Sequence, residues 1–282
     1  MAFYTALAEG EFSLKETITL SCRLAKQTGK PLIGVTAMPD PARAVMMTGA
    51  SMHGMMIAAG GQLAQGIREA QNEAKETLEA EFKTVCAAEG LSPDAYSIEH
   101  HVGLPTEIYP RVSLLSDGLI VAHECISAGN DHGMAFESTL LDRRQPVIVS
   151  GTDGAPGLDT MIIAWDGSPQ ASRAVRFHYP VLKAAKNIVI AQNSKKVDPD
   201  DRFGADNPQR VADFLAPLGI PTEIVHFDGA VAKGLLTLAE ERNAGMIVAG
   251  AYGHSKLEEM VFGGVSRNLL RAENGPALAL SH

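Results

Sequence analysis

The sequence predicts an α/β protein built from two tandem open sheets, each of them five-stranded, mostly parallel and flanked by helices. Short apolar runs alternate with helical segments, which is typical of a parallel sheet covered on both faces. The order of these runs occurs twice along the chain, as in a tandem repeat. A length of 282 residues with 45% hydrophobic content is also enough for two ordinary cores.

The second half shows the alternation most clearly, because strand-like runs and helical segments follow one another without interruption. In open sheets of this kind, ligands bind beyond the carboxyl ends of the strands, where the strand order reverses. Strands are predicted at 160–165, 188–192, 222–227, 246–250 and 277–280, and helices at 169–185, 207–218, 231–243 and 266–272.

The first half repeats this order of elements. A turn-rich stretch at 151–157 separates the two copies and serves as a linker. We therefore expect one domain at 1–152 and a second domain at 158–282. The matched segments are 3–8 with 161–165, 30–35 with 186–190, 117–122 with 244–249, and 145–150 with 275–280.

Charge, cysteine content and the apolar runs of the chain bear on its partners and its cellular compartment. The formal net charge is -9 and no basic stripe is evident, so a nucleic-acid partner is not expected. Cys22, Cys86 and Cys125 form no Cys-x-x-Cys pair, which suits a reducing cytoplasm. The start of the chain lacks the pattern of a signal peptide, and no uninterrupted apolar run of about eighteen residues is present. We expect neither secretion nor a membrane span.

The most informative motif follows the fourth strand of the second half. The strand ends in spaced glycines, and a helix that opens with glycine and a hydroxyl residue follows. Glycine lets backbone amides approach a ligand closely. A helix beginning near Val265 would direct its unpaired N–H groups towards an anion. The residues of the motif are Gly250, Gly253, Gly263, Gly264, Val265 and Ser266.

This pattern, Gly-x-x-Gly followed after nine residues by Gly and small or hydroxyl residues, resembles the nucleotide-binding signature of the universal stress protein family. The resemblance covers the whole chain in the order of its elements, but only the second half in motif. It implies the universal stress protein fold, which is similar to that of the adenine nucleotide alpha hydrolases. It also implies a cytoplasmic stress-response protein that binds ATP, ADP or AMP, with or without Mg2+. The alternative is a glycine-rich turn that only lets strand and helix pack tightly.

Two departures from the family pattern would weaken the binding of a triphosphate. Gly264 stands where the family usually has a hydroxyl residue, so one side-chain donor to phosphate is missing. His254 stands where the family often has Arg. Glu258 and Glu259 add negative charge to the loop, which Lys256 offsets in part.

The resemblance also assigns residues at the ends of the first two strands of the second half. By position, the acidic residue near adenine and ribose is Asp166, with Gly167 and Ser168 beside it. The groups offered to the base come from Gln192 and Asn193. Asp-Gly-Ser-Pro before a helix is equally an N-cap sequence, and the two roles are compatible.

The first half has lost the glycines of the motif. An alignment of the two fourth strands places Phe136 and Glu137 at the positions of Gly263 and Gly264. A phenyl ring and a carboxylate would block and repel phosphate. We therefore expect the first domain to be a degenerate copy that does not bind nucleotide in the same way.

The connection at 39–61 is the largest difference between the two copies. It is rich in Met and leads into a long amphipathic helix. We expect it to serve packing or self-association, with a lid, an apolar-ligand surface or a Cu(I) site as alternatives. The residues are Met46, Met47, Met52, His53, Met55 and Met56, and the apolar positions of the helix are Leu63, Ile67, Ala70, Ala74, Leu78, Phe82 and Val85.

His123, Cys125 and His132 form a His-x-Cys arrangement with a second His nearby. These side chains could ligate zinc, but no fourth ligand is evident, and unrelated polar residues in a partly exposed loop are the simpler interpretation. His100 and His101 alternate along a predicted strand and cannot both face one ion. No metal site is therefore assigned.

The sequence assigns no catalytic residues, because it contains neither a Gly-x-Ser-x-Gly elbow nor a His-Glu-x-x-His motif. The favoured function is a regulatory module that holds one adenine nucleotide in the second domain and adjusts the binding of an unidentified protein partner. A weak ATPase or a nucleotidyl-transfer enzyme is one alternative. A protein that binds an apolar ligand instead of a nucleotide is another.

The two halves are expected to pack against each other as an internal pseudo-dimer. Pairing of the last strands, near 147–149 and 277–280, would cover two exposed sheet edges. A further homodimer is compatible with the sequence.

Overall fold

The sheet contains ten strands in the part of the chain that the computed structural model describes, namely residues 1–8, 14–47, 57–127, 130–151, 157–194, 204, 206–251, 264–272 and 275–282. The strands are β1 (Phe3–Ala6), β2 (Leu32–Met38), β3 (Tyr96–Val102), β4 (Gly118–Val121), β5 (Val147–Val149), β6 (Thr160–Ala164), β7 (Asn187–Asn193), β8 (Thr222–Phe227), β9 (Met246–Gly250) and β10 (Ala277–Ser281).

Helices connect the strands and cover both faces of the sheet. The helix predicted at 169–185 is divided in two, because the chain leaves helical geometry at His178. The helices are α1 (Leu14–Thr28), α2 (Pro41–Met47), α3 (Ile57–Ala88), α4 (Pro105–Val112), α5 (His123–Ser127), α6 (Asp131–Glu137), α7 (Pro169–Phe177), α8 (Tyr179–Leu182), α9 (Gln209–Leu215), α10 (Val231–Glu241) and α11 (Gly264–Leu270).

The strand order is β3-β2-β1-β4-β5-β10-β9-β6-β7-β8. Each half contributes five neighbouring parallel strands, which confirms the predicted fold class. The two five-stranded units join where β5 pairs antiparallel with β10, and Ile148 lies opposite Ala279 in that pair. The predicted pairing of the last strands is therefore confirmed, and it turns the two sheets into one continuous sheet.

Strand register supports the alignment of the two copies. Leu119 of β4 lies opposite Val147 of β5, and Met246 of β9 lies opposite Ala277 of β10. In the matched segments Leu119 corresponds to Met246 and Val147 to Ala277, so the fourth and fifth strands have the same register in both halves.

Two apolar clusters form the core, one on each face of the sheet, and both extend through the two halves. Ile148 and Met161 belong to one cluster, whereas Val149 and Ile162 belong to the other. Strands buried on both faces are apolar at successive positions instead of alternating. Because each cluster contains residues from both halves, the two halves are expected to stabilise each other.

Helix α3 is longer than the sequence predicts, since it begins at Ile57 instead of beyond residue 61. Its apolar face is buried from Ala74 onwards, through Leu78 and Phe82. Leu63 is 44% exposed, so the first turns of the helix extend beyond the core. Met46 in α2 is also exposed, while the predicted Met52, His53, Met55 and Met56 lie outside the described residues.

Two further expectations concern the cysteines and the membrane. Cys22, Cys86 and Cys125 are buried and free of disulfide bonds. Among the described helices, none combines the length and the apolar character that a membrane crossing requires.

Candidate ligand-binding site

A cavity of about 460 Å³, here called the β6–β9 cavity, opens at the carboxyl ends of β6, β7 and β9. Strands β6 and β9 are neighbours in the sheet but not in the chain, so the strand order reverses between them. Ligands of open α/β sheets bind at such a point. Apolar side chains of Phe227, Val231, Leu235 and Val265 and polar side chains of Asp166, Ser168, Asn193 and Ser266 line the cavity.

The turn between β6 and α7 places Asp166 and Ser168 at the rim of this cavity. Ser168 is the N-cap of α7, and its Oγ accepts a hydrogen bond from the N–H of Ala171 at 3.1 Å. The N–H of Ser168 in turn donates to Oδ1 of Asp166 at 3.0 Å. The capping role predicted for this sequence is therefore present. It is compatible with a ligand role, because both residues also line the cavity.

A backbone contact fixes the segment that follows β7 next to this turn. The indole N–H of Trp165 donates to the carbonyl oxygen of Asp206 at 2.8 Å, and Nε2 of Gln192 donates to the same oxygen at 2.6 Å. Gly167 has a φ of +74°, and a Cβ there would lie 2.6 Å from Cα of Asp206. The missing side chain of Gly167 thus allows two backbone segments to touch.

The two residues assigned at the end of β7 have different surroundings. The side chain of Gln192 is 4% exposed and hydrogen-bonds to Asp206. Asn193 lines the β6–β9 cavity, and its Nδ2 donates to the carbonyl oxygen of Gly229 at 3.0 Å. Gln192 therefore positions the rim of the cavity, whereas Asn193 borders the cavity itself.

Gly250 at the end of β9 is required for packing. A Cβ at this position would lie 2.6 Å from the backbone nitrogen of Ala171 and 2.7 Å from the carbonyl carbon of Gln170. This tight approach of β9 to the start of α7 is the packing role that the sequence left open as an alternative. Gly250 also lines the cavity, so it has both a structural and a potential ligand-facing position.

The start of α11 forms another side of the cavity. Gly264, Val265 and Ser266 all line it, and a Cβ added at Gly264 would meet no atom of the described residues within 4 Å. The described residues therefore leave space for a side chain at Gly264. Gly253, His254 and Gly263, which complete the predicted motif, lie outside the described residues.

The charge of the cavity is set by one acidic side chain. Asp166 is exposed at the rim, and no Lys or Arg lines the cavity in the described part of the chain. A polyphosphate would therefore gain little Coulomb attraction from these side chains. The described side chains thus offer a ligand apolar contacts, neutral hydrogen-bonding groups and one carboxylate.

Of the apolar residues of the cavity, sequence reasoning assigned Val265 to the site but not Phe227, Val231 and Leu235. Val231 and Leu235 are four residues apart on α10 and therefore face the same side of that helix. Phe227 ends β8, next to the end of β7. These positions follow from the strand order, which could have identified them once β8 was placed beside β7.

The corresponding region of the first half is filled by side chains. Phe136 is fully buried and belongs to the same apolar cluster as Leu140. Ala8, Ala122 and Cys125 form a small buried cluster at the ends of β1 and β4. In the sequence alignment of the two copies, Phe136 stands at the position of Gly263, so a buried ring replaces a glycine there.

The described residues of the first half do not form a zinc site. No group of three or more His, Cys, Asp or Glu side chains is close enough to hold a metal ion in the described part of the chain. Cys125 is buried, and burial raises the pKa of its thiol to about 12, which opposes formation of the thiolate that binds metals. His132 lies instead beside Tyr109, with Nδ1 at 3.3 Å from the phenolic oxygen.

The fold and the cavity define an α/β protein with a ligand-sized cavity where the strand order reverses. Residues 157–280 match the model of the Universal stress protein family. The second half of this chain is therefore a universal stress protein domain.

Solved structures extend the likeness in fold to the whole chain. A universal stress protein from Archaeoglobus fulgidus DSM 4304 shares 16% identity with a TM-score of 0.64, and the match covers 99% of this chain and 97% of the other. A putative universal stress protein from Pseudomonas aeruginosa UCBPP-PA14 shares 14% identity with a TM-score of 0.52, over 99% and 92% of the two chains.

A shorter match covers 44% of this chain and 97% of a universal stress protein solved in complex with cAMP, at 23% identity and a TM-score of 0.33. Comparison with curated proteins found no match.

Proposed function

We propose that this protein is a regulatory binding module that holds one adenine nucleotide in the β6–β9 cavity. The observation that supports the proposal is the cavity itself, at the switch point of a universal stress protein domain, with an apolar wall and a polar rim. Ligand sites commonly combine apolar walls with a few polar groups that fix the orientation of the ligand.

The lining suits a nucleoside better than it suits a polyphosphate. Phe227, Val231 and Leu235 provide apolar contacts for a purine ring. Asp166 provides a carboxylate that can accept hydrogen bonds from ribose hydroxyls. Because no described lining residue is basic, the described side chains contribute more to binding of the nucleoside than to binding of the phosphates, for which Mg2+ is the expected counter-ion.

The nucleotide would act on the elements of the fold that border the cavity. It would contact the ends of β6 and β9 and the helices α10 and α11, all of which border the cavity. A ligand that binds one arrangement of these elements more tightly shifts the protein towards that arrangement. We propose that this shift adjusts the binding of a protein partner in the cytoplasmic stress response.

The first domain, at 1–152, completes the sheet without a nucleotide site of the same kind. The burial of Phe136 and the position of Glu137 support this assignment. The second domain, at 158–282, then carries the single site.

Titration of the ligand-stripped protein tests the proposal. We expect ATP, ADP and AMP each to saturate near one molecule per chain in calorimetry, with dissociation constants within about tenfold of one another. The fluorescence of Trp165, the only Trp of the chain, should change at the same concentrations. Absence of saturation at millimolar nucleotide, or two equal sites per chain, would contradict the proposal, and nucleotide turnover above background would favour the enzyme alternative.

Replacement of Asp166 by Asn separates its hydrogen bond to the N-cap residue Ser168 from its ligand role. The Asn side chain retains an oxygen for the N–H of Ser168, but it replaces the carboxylate by a neutral amide. We expect unchanged stability and a nucleotide dissociation constant raised by about tenfold, as for the loss of a hydrogen bond to a charged group. Asp142→Asn, at an exposed position in the first half, is the matched control. Equal nucleotide binding by the two variants would restrict Asp166 to its hydrogen bond with Ser168 in the turn before α7.

Introduction of a hydroxyl group at Gly264 is expected to strengthen binding. The described residues leave space for the added side chain, because none of their atoms lies within 4 Å of a Cβ at this position. We expect Gly264→Ser to lower the dissociation constant of ATP by about fivefold, as for one added hydrogen bond. Gly264→Ala controls for the loss of backbone freedom, and the prediction is wrong if calorimetry finds the two variants equal.

A further inference from the structure

A second depression, here called the α7–α9 groove, lies between helices α7 and α9 and has a volume of about 300 Å³. Val175 and Val211, each 4% exposed, form its base. Trp165 and Gly167 border one end of the groove, and Phe214 borders its side. The contact between Gly167 and Asp206 lies next to this end.

Two guanidinium groups border the α7–α9 groove. Arg176 comes from α7 and Arg210 from α9, and both residues are exposed. Neither forms an ion pair with any residue that the structure describes, although Nη1 of Arg210 lies 3.4 Å from the carbonyl oxygen of Gly204. Asp213, the acidic residue of α9, accepts instead from Nε2 of Gln209 at 2.8 Å.

The charge of the groove is opposite to that of the whole protein. None of the described residues that line it is acidic, and two are Arg, whereas the formal net charge of the chain is -9. An anion in this groove therefore meets two cationic groups on a protein of net negative charge. A guanidinium group also binds carboxylate or sulfonate oxygens in a defined planar geometry.

Two aromatic rings add a preference for a flat apolar body. Phe214 is 47% exposed, and its ring meets that of Tyr179 edge to face, with centroids 5.6 Å apart. The indole of Trp165 is held by its hydrogen bond to Asp206. Both rings are thus positioned before any ligand arrives, which reduces the entropy lost on binding.

We propose that the α7–α9 groove is a second ligand site, distinct from the β6–β9 cavity, and that it binds a small planar aromatic anion. The volume of about 300 Å³ fits a ligand of one or two fused rings. The apolar base and the exposed ring contact the body of the ligand, and Arg176 and Arg210 hold its anionic group.

The fluorescent probe 8-anilinonaphthalene-1-sulfonate tests this site, because it joins fused aromatic rings to one sulfonate. Trp165 borders the groove and is the only Trp in the chain, so energy transfer from its indole to the probe reports binding near it. We expect saturable transfer with one probe per chain, both without nucleotide and with millimolar ATP. Benzoate should displace the probe.

The arginines provide the decisive comparison. The double variant Arg176→Gln/Arg210→Gln should bind the probe at least about tenfold more weakly, since two charge-assisted hydrogen bonds are lost. Arg271→Gln, which removes an exposed arginine after α11, should bind like the unmodified protein. Circular dichroism should show that all variants keep the same secondary structure.

Several results would overturn the proposal. Equal affinity of the double variant and the unmodified protein would show that the guanidinium groups do not hold the anion. Complete displacement by ATP would place the probe in the β6–β9 cavity instead. Displacement by hexaglutamate but not by benzoate would show that the groove prefers an acidic peptide over an aromatic anion.

Discussion

Replacement of Gly167 by Ala is expected to lower the free energy of unfolding by about 2–4 kcal/mol. Gly167 adopts a φ of +74°, and an added Cβ would lie 2.6 Å from Cα and 2.9 Å from the backbone nitrogen of Asp206. The left-handed backbone alone costs an Ala residue about 1 kcal/mol. The remainder comes from displacing a segment whose carbonyl oxygen is held by Trp165 and Gln192.

Gly219 offers a matched control for this variant. Its φ of +67° is similar, but a Cβ there would meet no atom within 4 Å. Gly219→Ala should therefore cost only the backbone term of about 1 kcal/mol. Urea unfolding of both variants measures the difference, and the emission of folded Trp165 should change only in Gly167→Ala. Equal losses of stability would mean that the contact with Asp206 adjusts without cost.

Acidification is expected to destabilise the protein through His178. This residue is fully buried between α7 and α8, and its Nε2 donates to the carbonyl oxygen of Leu280 at 3.1 Å. Its Nδ1 is buried without a hydrogen-bond partner among the described residues. Burial lowers the pKa of His178 from 6.5 to about 4, although the hydrogen bond to Leu280 acts in the opposite direction.

Protonation of His178 differs between the unfolded and the folded chain, and this difference decides how stability changes with pH. The unfolded chain binds a proton below pH 6.5, while the folded protein does not do so until the pH reaches about 4. The contribution of neutral His178 is therefore complete above pH 6.5 and is lost as the pH falls towards 4. The integrated loss is about 3 kcal/mol, or 1.4 kcal/mol for each pH unit.

His178→Gln isolates this contribution, because Gln does not titrate but retains an N–H donor for Leu280. Urea unfolding of both proteins between pH 4 and pH 7 should show that the free energy of unfolding falls more steeply with decreasing pH in the unmodified protein. Protonation of carboxylates with a lowered pKa, such as those of Glu107 and Glu223, also lowers the free energy of unfolding in acid, but it does so equally in both proteins. Parallel curves would contradict the prediction that His178 remains neutral in the core.

The sequence predicts the sheet well because its strands are short, apolar and separated by clear turn signals. It misses the break at His178, although Pro180 carries a signal for it, since proline has no N–H to donate to the carbonyl oxygen four residues earlier and its ring clashes with that carbonyl. The helical pattern continues through this region, and a helix was therefore predicted from 169 to 185. The break places the imidazole of His178 against β10, which no local pattern reveals.

The candidate site is predictable in location but not in detail. The glycine motif indicates the end of β9, and Asp166, Asn193 and Gly250 all line the cavity there. The steric role of Gly250 and the hydrogen bond from Gln192 to Asp206 depend on distances between segments far apart in sequence. A single sequence gives no measure of such distances, so packing and ligand-facing roles look alike in it.

The antiparallel contact between β5 and β10 has a consequence for how the two halves can differ. Because one chain supplies both strands, the contact forms within the molecule and does not weaken on dilution. An assembly of two identical chains would also carry every substitution twice. Covalent linkage removes that constraint, so Phe136 can occupy one half while the equivalent position of the other remains glycine. The chain thus keeps the shape of a symmetric pair while its two ends are chemically independent.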